Sequence, residues 1–300
     1  MKNFININDF SEKEINQIID AAIERKNSHS NDSLAKNKVL ALIFEKDSTR
    51  TRISFDLAIK QLGGIAIMLD KDSLHLGKRE TIADTARTIS QYADIIMMRS
   101  NSHKTLVELA DYASIPVING LSDLSHPCQT IATLMTIKEA KGSLNNINIA
   151  WFGPISNVAQ SLMDAANLNL GFNLSIYCPK YYQNAYFAKL KDMNESAVLG
   201  KVTVNELVPE KMQDVDVIYT DTWFSMGDIE DSAKIEMLTE FSVNSTMMSK
   251  AKADCMFMHC LPANRAQEVS AEVIDGARSY VWQEAQNRLH VQKAIILNCL

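Results

Sequence analysis

With 300 residues, 46% of them hydrophobic and 22% charged, the chain has globular composition and enough length for one large or two ordinary domains. A formal net charge of −6, with no block of Lys or Arg, argues against nucleic acid or an anionic membrane as partner, and no stretch reaches the roughly 18 apolar residues needed to span a bilayer. The opening stretch MKNFININDFSEKEI lacks the apolar core of a secretory signal, so a cytoplasmic location is expected. The five cysteines, Cys128, Cys178, Cys255, Cys260 and Cys299, are an odd count without CxxC spacing and imply neither a disulfide framework nor a zinc site; no metal or other cofactor is expected.

In chain order, the first apolar run is VLALIF at 39–44, short, continuous and bounded by charge, as a parallel strand buried on both faces should be. After it Phe55, Ile59 and Leu62 recur at helical spacing and Gly63-Gly64 supply a stop. Ser48-Thr49-Arg50-Thr51-Arg52 therefore spans a strand-to-helix turn, where backbone N–H groups, hydroxyls and a guanidinium suit a phosphate. The stretch has no Gly-Lys-Ser/Thr and is not a Walker A loop; a Ser/Thr helix cap with two solvated arginines is the alternative.

Further apolar runs follow at 65–69, 94–98 and 115–118, and, after a long helical segment starting near Cys128, at 147–152, 174–178, 215–219 and 255–259. Eight strands separated by helices predict an α/β protein with two doubly wound domains, each a parallel sheet flanked by helices. A TIM barrel also alternates in this way, but the spacings here are uneven. The crossing between two four-strand halves falls over 130–141, ahead of Gly142-Ser143.

In open α/β sheets ligands bind beyond the carboxyl ends of the strands. In the first half those ends carry Ser48 to Arg52, Arg99, Asn119 and His126-Pro127-Cys128-Gln129. In the second they carry Asn157, Asp221 with Ser225-Met226-Gly227, and Cys260-Leu261-Pro262. Cations and hydroxyls on one half face a carboxylate, an amide and a thiol on the other, so a cleft between the halves would hold an anion and an ammonium-bearing molecule.

Taken together and in order, STRTR, HPCQ, DTWFSMG and HCLP, with QNRLH at 286–290, resemble the aspartate/ornithine carbamoyltransferase family over essentially the whole chain, on its ornithine side. The resemblance implies a carbamoyl-phosphate-binding domain over 1–135, a C-terminal helix over 285–300 packing back on it, an ornithine-binding domain over 136–284 and an active site in the cleft between them. It implies that Ser48, Thr49, Arg50 and Thr51, with Arg99, bind the phosphate, and that Thr51, Arg99 and His126 polarise the carbamoyl oxygen. Gln129 and the backbone carbonyls around Cys260 and Leu261 would hold the carbamoyl amide, with Arg288 approaching. Asp221 and Ser225 would take the α-ammonium of L-ornithine, Asn157 and the Met226 N–H its α-carboxylate, and Cys260, as thiol or thiolate beside Asp221, would orient the reacting amine. In this family the loop bearing His75 reaches a neighbouring subunit's site, which implies a homotrimer or a multiple of trimers.

Two positions depart from the family pattern. Gly153-Pro154-Ile155-Ser156-Asn157 stands where a GDGNN-like turn is usual, and Arg79 where many relatives have a small residue. Three other readings compete. A carbamoyltransferase for another amine, such as putrescine or acetylornithine, would typically lack SMG. A non-catalytic binding relative would be expected to lose STRT, HPCQ or HCLP. A cysteine hydrolase built on Cys260 and His259 is disfavoured because strand neighbours point to opposite faces.

Overall fold

The computed structural model describes residues 2–28, 33–70, 80–193, 195, 199–224 and 231–300. His75, Ser225 and Met226 lie outside the described residues, as does Arg79. The chain divides into two compact units, Met1–Met135 with Gln286–Leu300, and Thr136–Ala285. No helix among the described residues is long and apolar enough to cross a membrane.

Unit 1 is built from α1 (Glu12–Ser28), β1 (Val39–Phe44), α2 (Thr49–Gln61), β2 (Ile65–Asp70), α3 (Ile82–Ile89), β3 (Ile95–Arg99), α4 (His103–Tyr112), β4 (Val117–Leu121) and the start of α5 (Pro127–Lys141). Its parallel sheet has the order β2-β1-β3-β4. The apolar run of β1 is buried nearly throughout, whereas β2, at the edge, leaves Ile65 and Ile67 exposed. The helix starts follow local chemistry. Ser48, Thr81 and Ser102 precede α2, α3 and α4, and each side chain accepts a backbone N–H of the first turn. The fourth strand lies later than the run at 115–118, because Pro116 has no N–H to give to the ladder and pairing begins at Val117.

Unit 2 carries β5 (Asn148–Phe152), α6 (Asn157–Asn167), β6 (Asn173–Tyr177), α7 (Lys180–Asp192), β7 (Val202–Asn205), β8 (Val217–Thr220), α8 (Ser232–Leu238), α9 (Ser245–Ser249), β9 (Met256–His259), α10 (Ala271–Ile274) and the start of α11 (Val281–Cys299). The sheet order is β7-β6-β5-β8-β9, all parallel. It has five strands where the apolar runs predicted four: β7, sequence VTVN, is a short half-polar edge strand whose apolar content is too low to register as a run. Trp151 stacks on Tyr219 with centroids 5.2 Å apart, packing β5 against β8.

Each unit is thus an α/β layer with a parallel sheet flanked by helices, and each sheet reverses its winding once, between β1 and β3 and between β5 and β8. Loops leaving neighbouring strands in opposite directions at such a point open a crevice at the carboxyl edge. Register brings the ends together. Phe44 pairs with Arg99 in unit 1; in unit 2 Phe152 pairs with Thr220 and Thr220 with His259. The residues following those three unit-2 strands therefore emerge side by side.

Candidate active site

In unit 1, Ser48 is the N-cap of α2 and its hydroxyl accepts from the Thr51 N–H at 3.3 Å. That cap sets Thr49 and Arg50 in the first turn, at the positive end of the helix. Thr49 is exposed, Arg50 half-buried and Thr51 fully buried. The Thr51 hydroxyl accepts from Arg288 Nη2 at 2.7 Å, across 237 positions of sequence. Arg288 is itself buried in the middle of α11, which rules out the role of a cation at a helix C-terminus. The second arginine of STRTR points elsewhere: Arg52 pairs with Asp70 and lies 4.8 Å from the Phe44 ring centre.

Arg99 ends β3 at a shift in its register with β4. The backbone around it is pinned by Glu45, whose N–H donates to the Arg99 carbonyl at 3.0 Å and whose carboxylate accepts from Ser100 Oγ and the Asn101 N–H, both at 2.7 Å. His126 immediately precedes α5 and its carbonyl accepts the N–H groups of Gln129 and Thr130. The turn before it is tied by Ser122 and Ser125, which bond each other, and by Asn119, whose amide donates to Ser125 Oγ and to the Ile5 carbonyl at 2.9 Å each.

Burial, reinforced by the guanidinium charges of Arg288, Arg99 and Arg50, holds the His126 pKa well below the usual histidine range. Three cations distant in sequence therefore act on one ring, and at neutral pH that ring is an uncharged imidazole able to donate one N–H. Gln129, one helical turn on, is buried as well. Cys128 between them donates to the Asn119 carbonyl, and burial pushes its thiol up to about 12, so it is a packing residue. Unit 1 thus assembles a neutral hydrogen-bond donor among cations beside a helix N-terminus, an arrangement for a small anion with a polarisable carbonyl.

In unit 2 the centre is Asp221, just past β8 and 8% exposed. Its Oδ1 accepts from the Cys260 thiol at 2.9 Å and from the Thr222 N–H at 2.8 Å, and its Oδ2 from Ser156 Oγ at 2.9 Å. These three donors come from the carboxyl ends of β5, β8 and β9. All are uncharged, so the carboxylate keeps its full attraction for a cation. Asn157, half-buried, is the first residue of α6, next to its N-cap Ser156.

The altered turn at 153–157 is well formed. Gly153 has φ +109°, a conformation that excludes most side chains, and a Cβ there would sit 3.3 Å from Trp223 Nε1. Ser156 is the residue that sequence reasoning missed as a site member: its oxygen accepts from the Val158 and Ala159 N–H groups while its hydroxyl donates to Asp221. The hydroxyl just before the amphipathic run of α6 signalled the cap, but nothing local signalled the carboxylate.

The rejection of a cysteine hydrolase on opposite faces does not stand as geometry. β9 ends at His259, the chain turns, and ligand atoms of Asp221, His259 and Cys260 lie within 4.8 Å of one another. His259 is nonetheless engaged otherwise: Nδ1 accepts the Leu261 N–H at 2.9 Å and Nε2 lies 3.4 Å from Glu268 Oε1. With its lone pair taken by that N–H, the imidazole is neither a base for the thiol nor a free metal ligand.

Two family models match the chain: aspartate/ornithine carbamoyltransferase, carbamoyl-P binding domain, over residues 2–139, and the same family's Asp/Orn binding domain over residues 145–299. A curated ornithine carbamoyltransferase of Anoxybacillus flavithermus is 44% identical over 100% of this chain and 96% of its own. The solved ornithine carbamoyltransferase of Pyrococcus furiosus superposes with a TM-score of 0.88 at 40% identity, covering 98% of this chain and 96% of that one. An N-acetyl-L-ornithine transcarbamylase variant also superposes, with TM-score 0.83 at 27% identity and full coverage of both chains. With its strand-end chemistry and both family models matched almost end to end, the chain belongs to the aspartate/ornithine carbamoyltransferase family and is a carbamoyltransferase.

Proposed function

We propose that the protein is an ornithine carbamoyltransferase, converting carbamoyl phosphate and L-ornithine to L-citrulline and phosphate. The observation that carries this reading is the Asp221 carboxylate held by Ser156, Thr222 and Cys260, a site for an ammonium or amine with no cation among its hydrogen-bonding partners in the described residues. A dicarboxylate acceptor would need cations there. The nearest one after His259 in sequence, Arg265, is paired with Asp275 at 2.8 Å.

In this mechanism Ser48, Thr49, Arg50, Thr51 and Arg99 hold the phosphate, while Thr51, Arg99 and His126 polarise the carbamoyl oxygen. The amine lone pair attacks the carbamoyl carbon and the C=O electrons move onto oxygen. Collapse then breaks the carbon–phosphate oxygen bond, and the departing phosphate accepts the amine proton. A neutral His126 serves as a fixed donor to the developing oxyanion, an effect typically worth a few kcal/mol.

With an ordinary amine pKa near 10.4, only about one ornithine side chain in a few thousand is neutral at pH 7, so the site must favour the free amine. Asp221 and Asn157, with Ser225 and Met226, take the α-amino and α-carboxylate groups, and Cys260 orients the side-chain amine. Gln129 and the Leu261 carbonyl serve the carbamoyl amide, with Arg288 bracing Thr51. By the same resemblance the domains divide near residue 135, the enzyme is a cytoplasmic homotrimer, and His75 acts on a neighbouring subunit's site.

Product formation from carbamoyl phosphate with ornithine, N-acetylornithine, putrescine and aspartate tests the reading. Citrulline from ornithine alone is expected. Preference for N-acetylornithine would move the protein to the activity of its 27% identical structural relative, and no turnover with any acceptor would leave a binding protein.

A further inference from the structure

His259 and Glu268 are both fully buried at their side chains, and neither belongs to the site described above. They sit at the two ends of the loop that carries Cys260. His259 Nδ1 accepts the Leu261 N–H at 2.9 Å, which places the ring proton on Nε2, the atom 3.4 Å from Glu268 Oε1. The same Oε1 accepts the Asn264 N–H. Two backbone N–H groups of the loop, one on each side of Pro262, are thus received by a buried imidazole and a buried carboxyl group.

The loop needs such restraint. Leu261 has φ +58° and Ala266 φ +71°, left-handed conformations that are unfavourable for a non-glycine residue and persist only where the surroundings impose them. Farther along, the loop is anchored to the Asp221 side of the site, since Asn264 Nδ2 donates to Thr222 Oγ1 at 3.0 Å. Glu268 is fixed by its own backbone, whose carbonyl accepts the Val243 N–H at 2.9 Å. A carboxyl group with both oxygens buried is an expensive element to keep merely to close a surface turn.

We propose that His259 and Glu268 form a buried positioning pair: by receiving the Leu261 and Asn264 N–H groups they set the loop so that the Cys260 thiol stands 2.9 Å from Asp221, ready for the acceptor amine. The proposal rests on the reading of Asp221 and Cys260 as the acceptor site. The pair touches no reacting atom and acts through the backbone between.

The two imidazole nitrogens separate this role from simple core filling. His259→Asn keeps an oxygen near the Nδ1 position and can still accept the Leu261 N–H. His259→Gln reaches the Nε2 position and loses that acceptor. Steady-state kinetics use whichever acceptor the wild-type enzyme turns over, so a wrong substrate assignment shows in the wild type and not in the variants.

Displacing a reacting group by about 1 Å costs on the order of 10²-fold, so His259→Gln is expected to lose about 10²-fold in kcat while His259→Asn stays within about 5-fold. KM for carbamoyl phosphate should hold for both. Equal losses in the two variants, or losses that merely follow the fraction folded by thermal melting, overturn the proposal.

If either variant does not fold, Glu268→Gln, which keeps the Oε1 acceptor, is compared with Glu268→Met, which removes it at similar shape. Retained kcat in the first and loss in the second supports the pair. Equal activity in both, or failure of this pair also to fold, assigns the residues to stability and overturns it.

Discussion

The two units meet the same problem, holding a charged group at the carboxyl edge of a parallel sheet, by different means. In unit 1 the anion site grows from a contiguous turn: Ser48 caps α2, Thr49 to Thr51 follow, and only Arg99, His126 and Arg288 arrive from afar. In unit 2 the carboxylate of Asp221 is held by one donor from each of three strand ends, those of β5, β8 and β9, which topology sets side by side. Phosphate-like anions can exploit a helix N-terminus, which is local by construction, because free N–H groups come with every helix start. A cation has no such ready-made cradle at a strand end, so its site must be assembled from side chains that topology brings together.

If that contrast holds, the largest effect should come from the group that stands alone. Asp221→Asn removes the charge and keeps the shape. Loss of one member of a close charge pair costs about 2–5 kcal/mol, so kcat/KM for the amine should fall by roughly 30-fold to several thousand-fold, with KM for carbamoyl phosphate unchanged. An unaltered acceptor KM and kcat would show that the acceptor binds elsewhere.

Next in size is the pair of arginines in one pentapeptide. Arg50→Gln should weaken carbamoyl phosphate binding by about 10-fold to 10²-fold, the worth of a charged hydrogen bond, whereas Arg52→Gln disturbs only the Asp70 pair and should change kinetics by less than about 2-fold. Equal effects from the two would mean that the helix start does not discriminate between them.

Ser156→Ala should cost about 1 kcal/mol of unit 2 stability through loss of the α6 cap, together with a modest rise in amine KM as Asp221 loses one donor. A drop in melting temperature without any change in amine KM would confine Ser156 to the cap.

The last effect is a pH dependence. His126 has its folded pKa depressed below the ordinary 6.5, so below pH 6.5 the unfolded chain binds a proton that the folded one refuses. Stability should therefore fall as pH drops from about 6.5 toward the folded pKa, by at most about 1.4 kcal/mol per pH unit for this one group, and should be indifferent to His126 above that window. Denaturant melts of the wild type and His126→Gln across pH 5 to 8 check this: the difference between their stabilities should shrink on acidification, because only the wild type carries the penalty.

Much of the frame was legible in the sequence. β1, β2, β5 and β6 coincide with apolar runs to within a residue or so; for β1 and β5 burial on both faces leaves an uninterrupted hydrophobic signature. The start of α2 was marked by hydroxyls placed ahead of its amphipathic run, whereas Ser156 was not read as the cap of α6. Missed were β7, whose VTVN is half polar because an edge strand has solvent on one side, and the start of β4, where a proline delays pairing.

The site divides along the same line. Thr51, Arg50 and Asp221 could be named from their positions at strand ends, because a parallel sheet dictates where loops carry chemistry. That Arg52 turns away to Asp70 and that Ser156 reaches Asp221 could not be read locally. Neither could the meeting of Arg50, Arg99 and Arg288 around His126, nor the way His259 and Glu268 grip the loop of Cys260. By itself the sequence determined periodicities, caps and the order of strands, which depend on neighbours a few residues apart. Only the tertiary structure decided which side chains converge and in what electrostatic surroundings, because those depend on strand order and register, and through them on residues up to 237 positions apart.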